Sequence, residues 1–214
     1  MSALFNRRNA RGTVGSGSGE RHRVSRWWWG AALLVLAAVS GCEEDPHDPK
    51  TWIDKLDQQE HVDEAVRNLT RLKDPSSIKP LGKVWRAYNK PSKILRAIIA
   101  IASDRGEDNT GQPHYENALE FLVETVANYD GGSEVEIGDA VVACDALGQA
   151  ELAGQANDDV LKTLLAAAEK PLARLSRANV VRIAATRALG YFKNPRAVDV
   201  LIKLVSADRE TQRI

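Results

Sequence analysis

The sequence has few of the residues that build disulfide scaffolds, metal centres or aromatic-rich surfaces. Its 214 residues include two cysteines and four histidines, and aromatic residues make up only 6%. Two cysteines cannot form a disulfide framework or supply the four ligands of a structural zinc site. The formal net charge is zero, which argues against a strongly basic nucleic-acid binder. Hydrophobic residues make up 43%, enough to bury a core.

The balanced charge conceals two segments of opposite sign. Residues 1–41 contain six arginines and one acidic residue, Glu20, for a net charge of +5. Residues 42–214 therefore carry 23 basic and 28 acidic residues, for a net charge of −5. The negative charge of this larger part argues against nucleic acid as a partner. A basic segment at the start of a chain is typical of a targeting signal rather than of a folded domain.

An apolar run follows the arginines. It extends from Trp27 to Val39, and only Gly30 interrupts it. As a helix, this run would be roughly 20 Å long at 1.5 Å per residue, whereas the hydrocarbon core of a bilayer is about 30 Å thick. The length favours the apolar core of a signal peptide over a membrane-spanning helix.

The four residues that end this segment form a motif, Val39-Ser40-Gly41-Cys42. The motif resembles the lipobox of bacterial lipoprotein precursors: an aliphatic residue, two small residues and a cysteine. In that family the cysteine sulfur receives a diacylglyceryl group, and a dedicated peptidase cuts before the cysteine. The resemblance implies a signal peptide over 1–41, cleavage between Gly41 and Cys42, and fatty-acyl attachment at Cys42. An ordinary signal peptide or a short membrane anchor is the alternative.

The resemblance also implies a location and a tether. A lipoprotein of this kind is exported and held by its lipid on the periplasmic side of a bacterial membrane or on the cell surface. The polar residues 42–50 then form a short tether to a folded body over 51–214. The 26 residues before the apolar run are long for such a signal, and a start site placed too far upstream would explain the excess.

Helical periodicity dominates residues 51–214. Apolar residues recur at i, i+3, i+4 and i+7, which places them on one face of a helix. Three such sets are Val62, Ala65, Val66 and Leu69; Leu119, Leu122, Val123 and Val126; and Val198, Leu201, Ile202 and Val205. No stretch of comparable length alternates with the period of two that marks a strand. The sequence therefore predicts an all-α fold.

The helical segments repeat along the chain. Shifted by 120 residues, 61–85 aligns with 181–205, so that Leu69 meets Leu189 and Pro75 meets Pro195. Two further copies lie between them, and the anchor column reads Leu69, Ile101, Leu147 and Leu189. The pattern predicts an α-solenoid of about four to five helix-turn-helix repeats, whose helices complete a core by stacking.

The last full copy identifies the kind of repeat. Residues 179–190, followed by Asn194-Pro195-Arg196-Ala197, resemble a HEAT repeat. We expect Asn194-Pro195 to stop the preceding helix, because proline cannot continue one. The final residues 212–214 resemble the start of a further second helix. Either the domain is incomplete at its C-terminus, or its last half-unit packs on something else.

The sequence offers little catalytic chemistry. His47, His61 and His114 form no pair with metal-ligand spacing, and the acids of loop 103–115 lack the pattern of a calcium loop. Cys144 falls in a helical column with Val66 and Ile98, which predicts a buried thiol. The acids of 130–139 are expected to place charge at a helix N-terminus. We therefore expect no metal, no cofactor and no enzymatic activity.

A binding surface is the remaining functional class. In HEAT arrays the second helices line the concave face, and the outward column there is Arg67, Ile99, Asp145 and Arg187. Its charged members, Arg67, Asp145 and Arg187, are the candidate face for a protein partner. Trp85 and Tyr88 could anchor a partner as well, but both also continue a core stripe.

The sequence thus predicts a lipid-anchored HEAT-repeat protein that acts as a protein-interaction scaffold in a bacterial envelope, with an unidentified partner. The alternatives are a lyase-like HEAT-repeat enzyme, since some HEAT-like repeat proteins resemble the bilin lyases that attach chromophores, and a structural subunit of an envelope complex. A pocket with convergent charged groups would favour the enzyme, whereas a smooth groove would favour the scaffold.

Overall fold

The computed structural model describes residues 45–106, 110–130, 132–170 and 179–211, with side chains as far as Ser206. The lipobox, Cys42 and residues 212–214 lie outside these ranges. The described residues form α-helices, two short 3-10 helices and no strand, so the all-α prediction is confirmed. The helices are α1 (Pro49–Lys55), α2 (Val62–Leu72), α3 (Ile78–Ala87), α4 (Ser92–Ala102), α5 (Leu119–Asn128), α6 (Glu134–Leu152), α7 (Asp158–Glu169), α8 (Asn179–Leu189) and α9 (Pro195–Thr211).

The helices pack as consecutive pairs that stack on one another. The pairs are α1 with α2, α3 with α4, α5 with α6, and α7 with α8. The second helices form one layer, in which α2 contacts α4, α4 contacts α6, and α6 contacts α8. In the other layer α5 contacts α7, and α7 contacts α9. This arrangement is a HEAT-like α-solenoid, as the repeats predict.

The core follows the predicted anchor column. Leu69, Ile101, Leu147 and Leu189 are all fully buried, one on each second helix.

The second helices α6 and α8 approach each other closely where small residues meet. A Cβ added at Gly148 would lie only 3.1 Å from the Ala188 Cα atom. Ala188 and Gly148 therefore set the distance between α6 and α8, and larger side chains there would separate the two repeats.

Helix α9 differs from its predicted stripe. Val198, Ile202 and Val205 are exposed, whereas Ala197 and Val200 are buried. Leu201 and Leu204 are partly buried against the core. The helix carries apolar residues on two faces, and packing against α7 and α8 selects only one of them.

The Asn194-Pro195 pair begins a helix instead of ending one, which corrects our expectation. Helix α8 already ends at Leu189, and Pro195 is the first residue of α9. The Asn194 side chain accepts a hydrogen bond from the Arg196 backbone N–H at 3.0 Å. Asp74 accepts from the Ser76 N–H at 2.8 Å in the same way, at the equivalent position of an earlier repeat. Proline needs no donor at a first helical position, and asparagine is a preferred N-cap.

The N-terminal end of the described chain is tied to the first helix. Asp48 caps α1 by accepting from the Lys50 backbone N–H at 2.9 Å. The Trp52 indole donates to the Pro46 carbonyl oxygen at 2.9 Å. Pro49 and Lys50, predicted as the end of the tether, are already helical. Among the helices of the described residues, none is both long and apolar enough to cross a bilayer.

Candidate functional site

The predicted binding column lies on the second helices, and two of its three charged residues are in contact. The Arg187 guanidinium on α8 donates to the Asp145 carboxylate on α6, with an Nη2–Oδ1 distance of 2.6 Å. The hydrogen bond that Arg187 donates to Asp145, together with the negative charge of Asp145, raises the pKa of Arg187. Arg67 is exposed on α2, separated from this pair by α4. Ile99, the α4 member of the column, is partly buried against the core.

A second ion pair joins helices α2 and α4, the second helices of the first two pairs. Lys93 on α4 contacts the Asp63 carboxylate on α2, and both side chains are more than half exposed. The hydrogen bond and charge of Lys93 lower the pKa of Asp63. The junction of α4 and α6 is held differently, because the Ser92 hydroxyl donates to the Asp139 carboxylate at 2.6 Å. The second-helix face therefore carries inter-repeat polar contacts along its length.

An open groove runs between α4 and α6 on this face. Its volume is about 510 Å³. Helix α4 contributes Ser92, Lys93 and Arg96, and α6 contributes Glu134, Val135, Gly138 and Asp139. Val135 is 62% exposed, and a Cβ added at Gly138 would meet no atom within 4 Å. The groove therefore combines an accessible apolar side chain with charged walls.

A smaller cavity lies beyond Asp139, which lines both spaces. It has a volume of about 270 Å³ and is formed by the α3–α4 turn and the residues around the α5–α6 turn. Its lining is aromatic and polar: Trp85, Asn89, Lys90, Glu124, Thr125, Asn128, Tyr129, Glu136 and Asp139. We refer to it as the turn cavity.

Trp85 is a core residue that also lines the turn cavity. It is only 1% exposed, and its ring meets the Phe121 ring edge-on at 6.1 Å. The indole Nε1 atom is buried and has no hydrogen-bond partner among the described residues. Trp85 therefore packs in the core, as its place in the apolar stripe of the helix predicts. Tyr88, which continues the same stripe, is 39% exposed.

The α3–α4 turn holds Lys90 against this tryptophan. Asn89 and Lys90 both have left-handed backbone conformations, with φ of 59° and 56°. The Lys90 backbone N–H donates to the Trp85 carbonyl oxygen at 2.7 Å, which is the long hydrogen bond of a Schellman motif. The Lys90 ammonium then lies 5.3 Å from the centre of the Trp85 ring.

Two cations converge on one carboxylate at the edge of the cavity. The Lys90 ammonium lies 2.7 Å from Glu124, and the Arg86 Nε atom lies 2.8 Å from it. Burial acts to raise the pKa of Glu124, but the hydrogen bonds and charges of Lys90 and Arg86 outweigh burial and lower it. Glu124 is therefore a paired, ionised group.

Asp139 has a different environment from the one that we expected. Glu134 and Glu136 lie in the first turn of α6, as predicted, but Asp139 lies beyond that turn and is only 7% exposed. The Ser92 hydroxyl is its hydrogen-bond partner, and no cation of the described residues lies within ion-pair distance of it. The sequence did contain a signal for the burial of Asp139, because this acid lies between Ile137 and Ala140, which are both buried.

The other described residues considered from sequence include a buried thiol and two partly exposed histidines. Cys144 is fully buried, and burial, followed by the nearby Asp145 charge, raises its thiol pKa to about 12. His61 and His114 lie near carboxylates at distances of 3.6 to 4.0 Å. The described part of the chain contains no cluster of three metal-ligating side chains.

The comparisons with known proteins agree with the repeat assignment. Residues 181–206 match the PBS lyase HEAT-like repeat. The match covers most of α8 and most of α9, where the sequence resemblance is clearest. No curated protein and no solved structure matches the chain.

Proposed function

We propose that this protein is a lipid-anchored scaffold of a bacterial envelope that binds a protein partner on its second-helix face. The observation that carries the proposal is the α4–α6 groove. It is open, it is central in the layer of second helices, and it presents the exposed Val135 beside the cations of α4. Protein interfaces combine such apolar contacts with charged rims.

The proposed location rests on the lipobox. Acylation at Cys42 would hold the chain at a membrane surface, and the repeats would display the groove to a second protein. Because the chemistry of anchoring and the chemistry of binding involve different segments, each part of the proposal can be tested by itself.

Site-specific photocrosslinking tests the binding role. A photoreactive phenylalanine analogue replaces Val135 in the groove, and the same analogue replaces Lys162 on α7 as the control. Lys162 is 66% exposed, so both probes are accessible. We expect a discrete crosslinked product in cells from position 135 and none from position 162. Equal products at both positions, or none at 135, would contradict a binding role for this face.

A lyase-like enzyme is the second candidate, and one observation favours it. The turn cavity contains convergent charged groups, namely Lys90, Glu124, Glu136 and Asp139. Its volume of about 270 Å³ nevertheless lies below the usual range of about 300–1,000 Å³ for small-molecule sites, which is little space for a four-ring bilin. A bilin absorbance change on mixing with the purified chain, lost in Asp139→Asn, would support the enzyme.

A further inference from the structure

Helix α9 has a second apolar face, which the described chain leaves exposed. Val198, Ile202 and Val205 are 47%, 59% and 56% exposed. Their spacing of four and three residues places them along one stripe of the helix. The buried face of α9 is a different one and contains Ala197 and Val200. Packing onto α7 and α8 therefore leaves this stripe uncovered.

An earlier repeat shows how such a stripe is used when it is covered. At the 120-residue shift of the repeats, the stripe aligns with three residues of α3, namely Ile78, Gly82 and Trp85. Ile78 and Trp85 are 0% and 1% exposed. The Phe121 ring of α5 lies directly against Gly82 and meets Trp85 edge-on. At this position of the repeat, the stripe therefore packs against another helix.

Exposed apolar side chains are concentrated in α8, α9 and the turn between them. The described residues include nine large apolar or aromatic side chains that are exposed, and six of these lie between 180 and 205. The six are Val180, Ile183, Tyr191, Val198, Ile202 and Val205. Helices α1 and α2 contribute none of the nine. A head-to-tail contact between two copies would therefore set apolar surface against polar surface, whereas a contact of this part with itself buries apolar surface on both sides.

The charges beside the stripe complement themselves in an antiparallel pair. Asp199 and Lys203 are exposed, and each follows a residue of the stripe directly in sequence. Neither forms an ion pair with another described residue. When two antiparallel copies of α9 set Val198 against Val205 of the second copy, Asp199 lies within one residue of that copy's Lys203. Twofold symmetry repeats the contact, because a residue pair in such an interface occurs twice.

We propose that α9 pairs antiparallel with α9 of a second copy of this chain, and that its exposed stripe forms the centre of a twofold-symmetric dimer interface. Val198, Ile202 and Val205 of the two copies cover one another, and Asp199 of each copy pairs with Lys203 of the other. The inference is independent of the proposed partner site, because that groove is formed by α4 and α6.

Photocrosslinking between two differently tagged full-length chains tests the interface. Both chains are expressed in the same cells, and a photoreactive phenylalanine analogue replaces Ile202 in one of them. The control places the analogue at Leu152 on α6, which is 59% exposed, as Ile202 is. We expect a product that carries both tags from position 202 and none from position 152. The absence of such a product at 202, or crosslinks there to a different protein alone, would overturn the proposal.

Charge exchange tests the antiparallel pairing. Asp199→Lys and Lys203→Asp each place like charges opposite one another when a variant pairs with itself. We expect each to lower the yield of the doubly tagged product by about threefold or more, because juxtaposed like charges are disfavoured. Coexpression of one variant with the other restores opposite charges at both contacts and should restore the yield.

The matched control is Lys162→Asp, the same change at an exposed position of α7, which should leave the yield unchanged. An unchanged yield in the two single variants, or a loss that their coexpression does not reverse, would overturn the pairing of Asp199 with Lys203 and with it the antiparallel dimer.

Discussion

Arg187 and Asp145, one repeat apart in the sequence, form a salt bridge of 2.6 Å across α8 and α6. Both belong to the column that the sequence assigns to a partner. Their side chains are 57% and 45% exposed, so water screens the pair and it adds little to stability. The charges of this column therefore offset each other at one end of the face, while Arg67 stands exposed on α2.

Charge reversal on the second-helix face should reduce partner capture. We expect the double variant Arg67→Glu and Arg187→Glu to give fewer crosslinks from position 135, with unchanged helical content. The loss should grow as ionic strength falls, because screening weakens contacts between exposed charges. Crosslinking at several salt concentrations, with circular dichroism, measures both effects. Lys162→Glu on α7 is the control. Equal capture by the wild type and the double variant at low salt would show that this column is not part of the binding surface.

The anchor column should carry much of the stability of the repeats. We expect Leu189→Ala to lower the free energy of unfolding by about 2–5 kcal/mol, because it leaves a cavity in a fully buried site. Ile183→Ala, on the same helix but 62% exposed, should change it by less than about 0.5 kcal/mol. Urea denaturation followed by circular dichroism compares the two. A change below about 0.5 kcal/mol for Leu189→Ala would mean that the repeat register is wrong.

Two helical glycines should respond in opposite ways to alanine. A Cβ at Gly82 would lie 1.9 Å from the Phe121 Cζ atom, and the Phe121 ring is packed against Trp85. We expect Gly82→Ala to destabilise the fold, because overpacking costs about 1–3 kcal/mol against a gain in helix propensity of about 1 kcal/mol. Gly138→Ala meets no atom within 4 Å and should stabilise by about 0.5–1 kcal/mol. Thermal melting of both variants measures the two effects. A stabilised Gly82→Ala variant would contradict the close packing of Gly82 against Phe121.

The thiol of Cys144 should be inert in the folded protein. With a pKa of about 12, its thiolate fraction at pH 8 is about one in ten thousand, and only the thiolate is the nucleophile. Iodoacetamide should therefore leave Cys144 unmodified in buffer at pH 8 and alkylate it in denaturant, as followed by mass spectrometry of the peptide. Because the pKa is raised, reactivity should increase as the pH rises towards 12. Rapid alkylation of the native chain at pH 8 would contradict the burial.

Anchoring should depend on Cys42, which lies outside the described residues. We expect Cys42→Ala to remove the mature protein from the membrane fraction, because stable anchoring requires acyl chains. Fractionation compares the variant with the wild type, and mass measurement separates the mature chain from unprocessed precursor, which can remain membrane-bound. A mature acylated chain that begins at a residue other than Cys42 would refute the lipobox.

The repeats were predictable because their signal is local. Helical spacing and the column of Leu69, Ile101, Leu147 and Leu189 depend on residues within one helix and its copies. The buried column confirms the register. The contact between Asp145 and Arg187 was harder to predict from the sequence. The repeat alignment shows that the two residues occupy equivalent positions, but it does not give the distance between their helices. That distance depends on small residues such as Gly148, which let α6 and α8 approach.

The sequence by itself determined the helices, their repeat register and the charge division between residues 1–41 and the rest. Only the tertiary structure decided where the turn cavity lies and which of its groups are paired. Trp85, Glu124 and Asp139 come from α3, α5 and α6, and their meeting depends on how these helices stack. The left-handed turn at Asn89 and Lys90 places the Lys90 ammonium beside Glu124, because the backbone conformation of a turn fixes the direction in which its side chains leave the chain.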